Sequence, residues 1–123
     1  MRFQRRQRLR RQGDFIQVKE QGKTFRCPHF FLQLLETDSP EPHRRRIGII
    51  TSRRVGNAVK RNRARRQFRE IFRKNQEALP GKCDMVIVVR SSFDQAHFVE
   101  LQNLFLKGVL HLCKTKPNQE DCP

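Results

Sequence analysis

An α+β fold is expected, a single-layer mixed sheet of about four strands with helices packed on it, and three observations predict it. The chain has 123 residues, the size of one domain with one main core. Its apolar residues alternate around 29–35 and 47–51 but recur at helical spacing after Gly56 and again after Asp94. Between those two helical stretches, residues 85–89 form a short, almost wholly apolar run rich in β-branched side chains, as a buried strand does. The order is helix, strand, strand, helix, strand, helix, with a possible extra short strand near Thr24 to Cys27.

The first helix is expected from about Gly13 to Gln21, with Asp14 as N-cap, Phe15, Ile16 and Val18 as its apolar residues and Gly22 as its stop. A strand follows from about His29 to Leu35, and Pro28 restricts its start. Alternation sends Phe30, Leu32 and Leu34 to the core and His29, Phe31 and Gln33 to an open face. After the turn TDSPEPH comes RRRIGIITSRR, whose centre reads as a second strand. Ile47, Ile49 and Thr51 share one side, and Gly48, Ile50 and Ser52 the other. Gly48 leaves room above the sheet for a close approach.

Gly56 and Asn57 open a long helix to about Gln76, since Phe68, Ile71, Phe72 and Leu79 recur at its period. A PGK turn and the 85–89 strand follow. The last helix runs from about Asp94 to Cys113 on a stripe of Phe98, Leu101, Phe105, Val109 and Leu112, capped by Ser92 or Asp94. One domain over 1–116 accounts for the pattern. Residues 1–11 hold six arginines and only Phe3 and Leu9 as sizeable apolar groups, which predicts a mobile basic arm, and 117–123 read as a disordered tail.

Charge selects the partner class. Lys plus Arg number 27 against 12 Asp plus Glu, a net +15, and such a field favours a polyanion whose condensed counterions are released on binding. No apolar run is long enough to span a bilayer and no amphipathic anchor stands out, so no membrane partner is expected. The N-terminus MRFQRRQRLRRQ has no apolar region behind its charges, and a cytoplasmic location is the expectation. Cys27, Cys83, Cys113 and Cys122 are widely spaced without a CxxC pair and read as independent thiols. Cys27 with His29, and His111 with Cys113, fall short of standard zinc spacing, so no metal ligand set is assigned.

The basic residues are concentrated. Thirteen lie between Arg44 and Lys74, where Glu70 is the one acid. Stepping about 100° per residue, Arg65, Arg66, Arg69 and Arg73 gather on one side of the long helix, beside the stripe of Ala64, Phe68, Ile71 and Phe72, while Arg61 falls within the apolar range. A solvated charged face would carry acids one turn away. These are nearly missing, so the arginines repel one another unless a polyanion neutralises them, and their planar forks suit phosphates and bases. The N–H groups near Asn57 to Lys60 add a second phosphate-binding element.

The stretch Gly56-Asn57-Ala58-Val59-Lys60-Arg61-Asn62-Arg63-Ala64-Arg65-Arg66, followed by Arg69, closely resembles the RNR signature of bacterial ribonuclease P proteins. The context agrees: a preceding strand ending in Ser52-Arg53-Arg54, an upstream helix with Asp14-Phe15, and a short apolar strand and helix downstream. The resemblance covers roughly residues 8–115. It implies a fold like domain 2 of ribosomal protein S5, with a left-handed βαβ crossover against the usual right-handed rule. It also implies an accessory subunit of a ribonucleoprotein that removes the 5′ leader from precursor tRNA. The catalytic RNA subunit would hold the Mg2+ the particle requires, with one protein per RNA and no cofactor on the protein alone.

Carried onto this chain, the resemblance assigns RNA contact to Arg53, Arg54, Lys60, Arg61, Asn62, Arg63, Arg65, Arg66 and Arg69, and Arg73 shares their helix side. It assigns the leader to a cleft of Phe15, Phe31, Gln33 and Ile50, where an exposed ring suits a single strand. The alternative for both rings is burial in the core. The chain departs from the family in carrying Lys19 where some members have a second aromatic and Gln33 where some have tyrosine, leaving a less aromatic cleft. A ribosome- or translation-associated RNA-binding protein is the alternative function. A metal-dependent nuclease would need gathered carboxylates or histidines, yet Asp14, Glu70, Asp84 and Asp94 make no close motif. Ser91, Ser92 and His97 lack a third group, so no catalytic residue is assigned.

Overall fold

A computed structural model describes residues 7–9, 11–37 and 45–114. It contains α1 (Gln12–Gln21), β1 (Lys23–Arg26), β2 (Phe30–Glu36), β3 (Arg45–Ile50), α2 (Ala58–Lys74), β4 (Cys83–Val89) and α3 (Phe98–Lys114). The strands form one sheet in the order β1-β2-β4-β3. β1 and β4 pair antiparallel to β2, whereas β3 runs parallel to β4. α2 therefore lies in the crossover between two parallel neighbours, and the sheet is mixed, as the expected α+β class requires.

Alternation builds the core. Phe30, Leu32 and Leu34 of β2, Ile47 of β3 and Met85, Ile87 and Val89 of β4 face one way and bury against Ala64, Phe68, Ile71 and Phe72 of α2 and Leu101, Phe105, Val109 and Leu112 of α3. Phe30 meets Phe68 edge to face, with centroids 5.2 Å apart. A smaller cluster of Leu9, Val18 and Val86, flanked by Phe15, Leu35 and Val88, seats α1 on the opposite face.

Three expectations are corrected. The arm assigned to 1–11 is packed at residues 7–9: Arg8 bridges Ile47, the Leu9 N–H donates to the Ile47 carbonyl at 2.9 Å, and Leu9 is 3% exposed. One apolar side chain suffices there because the open edge of β3 supplies a hydrogen-bond partner. Gln7 also donates to Gln76 at 2.8 Å. Residues 1–6 and 10 of that arm, the 38–44 turn and the tail at 117–123 lie outside the described residues.

Asp14 is not the α1 N-cap. Arg11 holds that position without a side-chain bond, and Asp14 in the first turn reaches Arg46 at 3.5 Å. The last helix begins at Phe98, not near Asp94, because Ser91–Gln95 form a separate 3-10 turn that buries Phe93. Ser92 and Asp94 consequently serve tertiary contacts and not the helix cap.

Candidate nucleic-acid interface

The start of α2 is built by three residues. Ser52 accepts from the Arg54 N–H at 3.3 Å and opens a 3-10 turn over Arg53–Val55 that leaves both arginines exposed. Gly56 then adopts φ 147°, a left-handed conformation that L side chains rarely take, and an added Cβ would stand 2.6 Å from the Lys60 side chain. Asn57 caps the helix, its Oδ1 accepting from the Lys60 N–H at 2.9 Å. One of the N–H groups expected to await a phosphate is thus engaged by the chain itself.

Along α2, Asn62, Arg65, Arg66, Arg69, Glu70 and Arg73 line one depression. Asn62 accepts from Arg65 at 2.7 Å. Glu70 accepts two bonds from Arg73, at 2.9 and 2.6 Å, and lies 3.8 Å from Lys74. That bonding holds the Glu70 carboxyl below its ordinary range and raises Arg73. Partial burial, then the neighbouring Arg8 and Arg65 charges, lower Arg69. The N-terminal segment therefore brings a further guanidinium towards this face, which composition alone did not indicate.

The remaining assigned residues divide. Arg63 and Arg66 are exposed. Arg61 is half-buried, as its position in the apolar range required, and its buried Nε has no hydrogen-bond partner among the described residues. Lys60 is half-buried and engaged at the surface: its Nζ donates to the Ser91 carbonyl at 3.2 Å, pairs with Asp94 at 3.1 Å and stands 5.8 Å from the Phe93 ring centroid. This ties α2 to the 91–95 turn.

The second surface is the sheet face on the α1 side. Register places Arg26, Phe31, Val88 and Ile50 in one row across all four strands, and Thr24, Gln33, Val86 and Gly48 in the next. Phe15 sits over the second row. A Cβ on Gly48 would come within 2.5 Å of its ring carbon Cζ, so the room expected above Gly48 is filled by Phe15. Phe15 is half-buried and forms a wall, while Val86 beneath α1 is fully buried. The first row stays open: Ile50 is 40% exposed and Phe31 half-buried. Arg26 and Arg90 stand 5.6 and 5.0 Å from the Phe31 centroid. Sequence reasoning missed both arginines and Val88, since their approach to Phe31 depends on strand order.

The Ser92 and His29 side chains are engaged within the fold. The Ser92 hydroxyl donates to the Pro28 carbonyl at 2.8 Å and lies 3.1 Å from His29 Nδ1, with His29 Nε2 3.9 Å from Glu100. These contacts tie the 91–95 turn to the start of β2. Among the described residues no group of three or more His, Cys, Asp or Glu could hold a metal ion, and no helix is long and apolar enough to cross a membrane. Burial pushes the Cys83 thiol up to about 12.

The model of the Ribonuclease P family matches residues 3–113. The chain belongs to the ribonuclease P protein family. Similar relatives include the ribonuclease P protein component of Herpetosiphon aurantiacus, 34% identical over 123 residues and 97% of this chain and 98% of the relative. That of Chloroflexus aurantiacus is 42% identical over 98 residues, 78% of this chain and 70% of the relative. Among solved structures, the RNase P protein of Thermotoga maritima superposes with a TM-score of 0.72 at 28% identity, covering 90% of this chain and 99% of that one. The Staphylococcus aureus protein gives 0.74 at 25% identity, covering 88% and 95%. As a ribonuclease P protein, the chain is a subunit of the particle that matures the tRNA 5′ end, with the particle's RNA and precursor tRNA as partners. The ribosome-associated alternative is not favoured.

Proposed function

We propose that this subunit binds RNA on two surfaces on opposite sides of its sheet and leaves bond cleavage to the RNA subunit. The observation that carries the reading is the α2 depression, where Arg65, Arg66, Arg69 and Arg73 stand together against one acid. With Arg53, Arg54, Lys60, Arg61, Asn62 and Arg63, this ridge neutralises phosphates of the catalytic RNA. Within that group Arg53, Arg54, Arg63 and Arg66 are the exposed arginines, and Lys60 also holds the helix through Asp94.

The open row of Phe31 and Ile50, with Gln33 beside it and Phe15 as a wall, receives the single-stranded 5′ leader. Engaging leader and RNA together turns leader capture into an intramolecular event and raises the effective concentration of substrate at the particle. On this reading the Mg2+ requirement of the ribonucleoprotein belongs to the RNA. One protein serves one RNA, and the particle works in the cytoplasm.

The test is cleavage of a 5′-leader precursor tRNA at low magnesium by a bacterial ribonuclease P RNA, with the protein, without it, and by the protein alone. Strong stimulation by the pair with no cutting by the protein alone is expected. Cutting by the protein alone, or no stimulation, would overturn the reading.

A further inference from the structure

Phe31 is the one aromatic side chain in the open row, yet its ring is flanked by two cations. Arg26 belongs to β1 and stands directly opposite Phe31 in the register. Arg90 follows β4, and its N–H continues the ladder by donating to the His29 carbonyl at 3.0 Å. β1 and β4 adjoin β2 on opposite sides, so the two guanidinium groups reach the ring from opposite flanks. Both lie within about 6 Å of the centroid, the range in which the ring quadrupole attracts a cation. Both side chains are exposed, and among the described residues neither has a carboxylate partner.

We propose that Arg26 and Arg90, and not the Phe31 ring face, are the groups that engage the leader, with Phe31 as the shelf that orients them. This rests on the reading of the open face as the leader surface. Each guanidinium can rest one face towards the ring, offer the other to a nucleobase, and leave N–H donors at its edge for a phosphate oxygen. A strand crossing the row from β1 towards β3 then meets an Arg-Phe-Arg element followed by the apolar floor of Val88 and Ile50. Such a site is tolerant of sequence, because every base has a π-face and every nucleotide a phosphate. It also offsets the loss of ring surface implied by Lys19 and Gln33.

The experiment titrates the assembled RNA-protein particle with precursor tRNAs carrying short and long leaders. Arg26→Ala with Arg90→Ala should lower affinity for the long-leader precursor by about tenfold, the scale of one lost stacking contact. Arg26→Lys with Arg90→Lys keeps the charge and the surface but lacks the planar fork, and should lose most of the same affinity. Wild-type affinity in the lysine pair would overturn the stacking role. Wild-type affinity in the alanine pair, with weakened binding in Ile50→Asp, would overturn the inference while leaving the open face as the leader surface. If Ile50→Asp also binds as wild type, the leader-surface reading fails and the inference fails with it.

Discussion

Arg46 grips Asp84 across the β3–β4 ladder with two hydrogen bonds, Nε to Oδ1 at 2.9 Å and Nη2 to Oδ2 at 2.7 Å, while its Nη1 stands 3.5 Å from Asp14 of α1. One guanidinium thereby joins the sheet to the helix that walls its open face. The Asp84 side chain is only 6% exposed, so removing Arg46 leaves a buried carboxylate without its cation. Arg46→Met is expected to cost about 3 kcal/mol in a urea unfolding titration. Adding Asp84→Leu removes the stranded charge and should recover most of that loss.

Phe15 and Gly48 share one space. Gly48→Ala forces the ring off the sheet and should destabilise the protein by about 1–3 kcal/mol, as overpacking does. Phe15→Ala relieves the clash, so in a double-mutant cycle by urea titration the pair should cost less than the sum of the single changes.

The α2 arginines should show themselves in salt dependence. Arg65→Ala and Arg66→Ala should each weaken binding to the ribonuclease P RNA and make the slope of log affinity against log salt shallower by about 1 per lost phosphate contact. Filter-binding titrations across a salt series measure this directly. An unchanged slope would place the RNA contact elsewhere.

Cys83 lies buried at the start of β4, and burial raises its thiol from the ordinary 9.0 to about 12. The folded protein should resist alkylation there at mildly alkaline pH, whereas exposed Cys113 should be labelled before it. Mass spectrometry of peptides before and after denaturation reads the difference. The sign of the stability effect follows from the raised value. Below pH 9 the neutral thiol's contribution is fully present, and it is lost as pH rises towards 12, because only the unfolded thiol ionises in that interval.

Much of α2 was legible beforehand. Its cap Asn57, its buried Ala64, Phe68, Ile71 and Phe72, and the inward lean of Arg61 follow from spacing that acts within a few turns. The start of α3 was not. Ser92 and Asp94 are good capping types, but Asp94 pairs with Lys60, 34 positions earlier in the chain, and Ser92 bonds Pro28. Those partners are remote in sequence, so no local pattern reveals that the two side chains are already engaged. The same pairing gives Lys60 a structural contact that its place in the basic run did not reveal.

The sequence by itself determined the order of the main elements, the face taken by the strand side chains, the placement of the basic footprint, and the family resemblance carried by Gly56 to Arg69. Periods of about 3.6 and 2 residues and capping chemistry act over short distances, which is why they can be read along the chain. Only the tertiary structure decided that β4 enters between β2 and β3. That insertion aligns Arg26, Phe31, Val88 and Ile50 in one row and brings Arg90 to the same ring. The reason is physical: alternation sets which face a residue occupies, but the strand beside it is chosen by long-range hydrogen bonding and burial, which leave no periodic trace in the sequence.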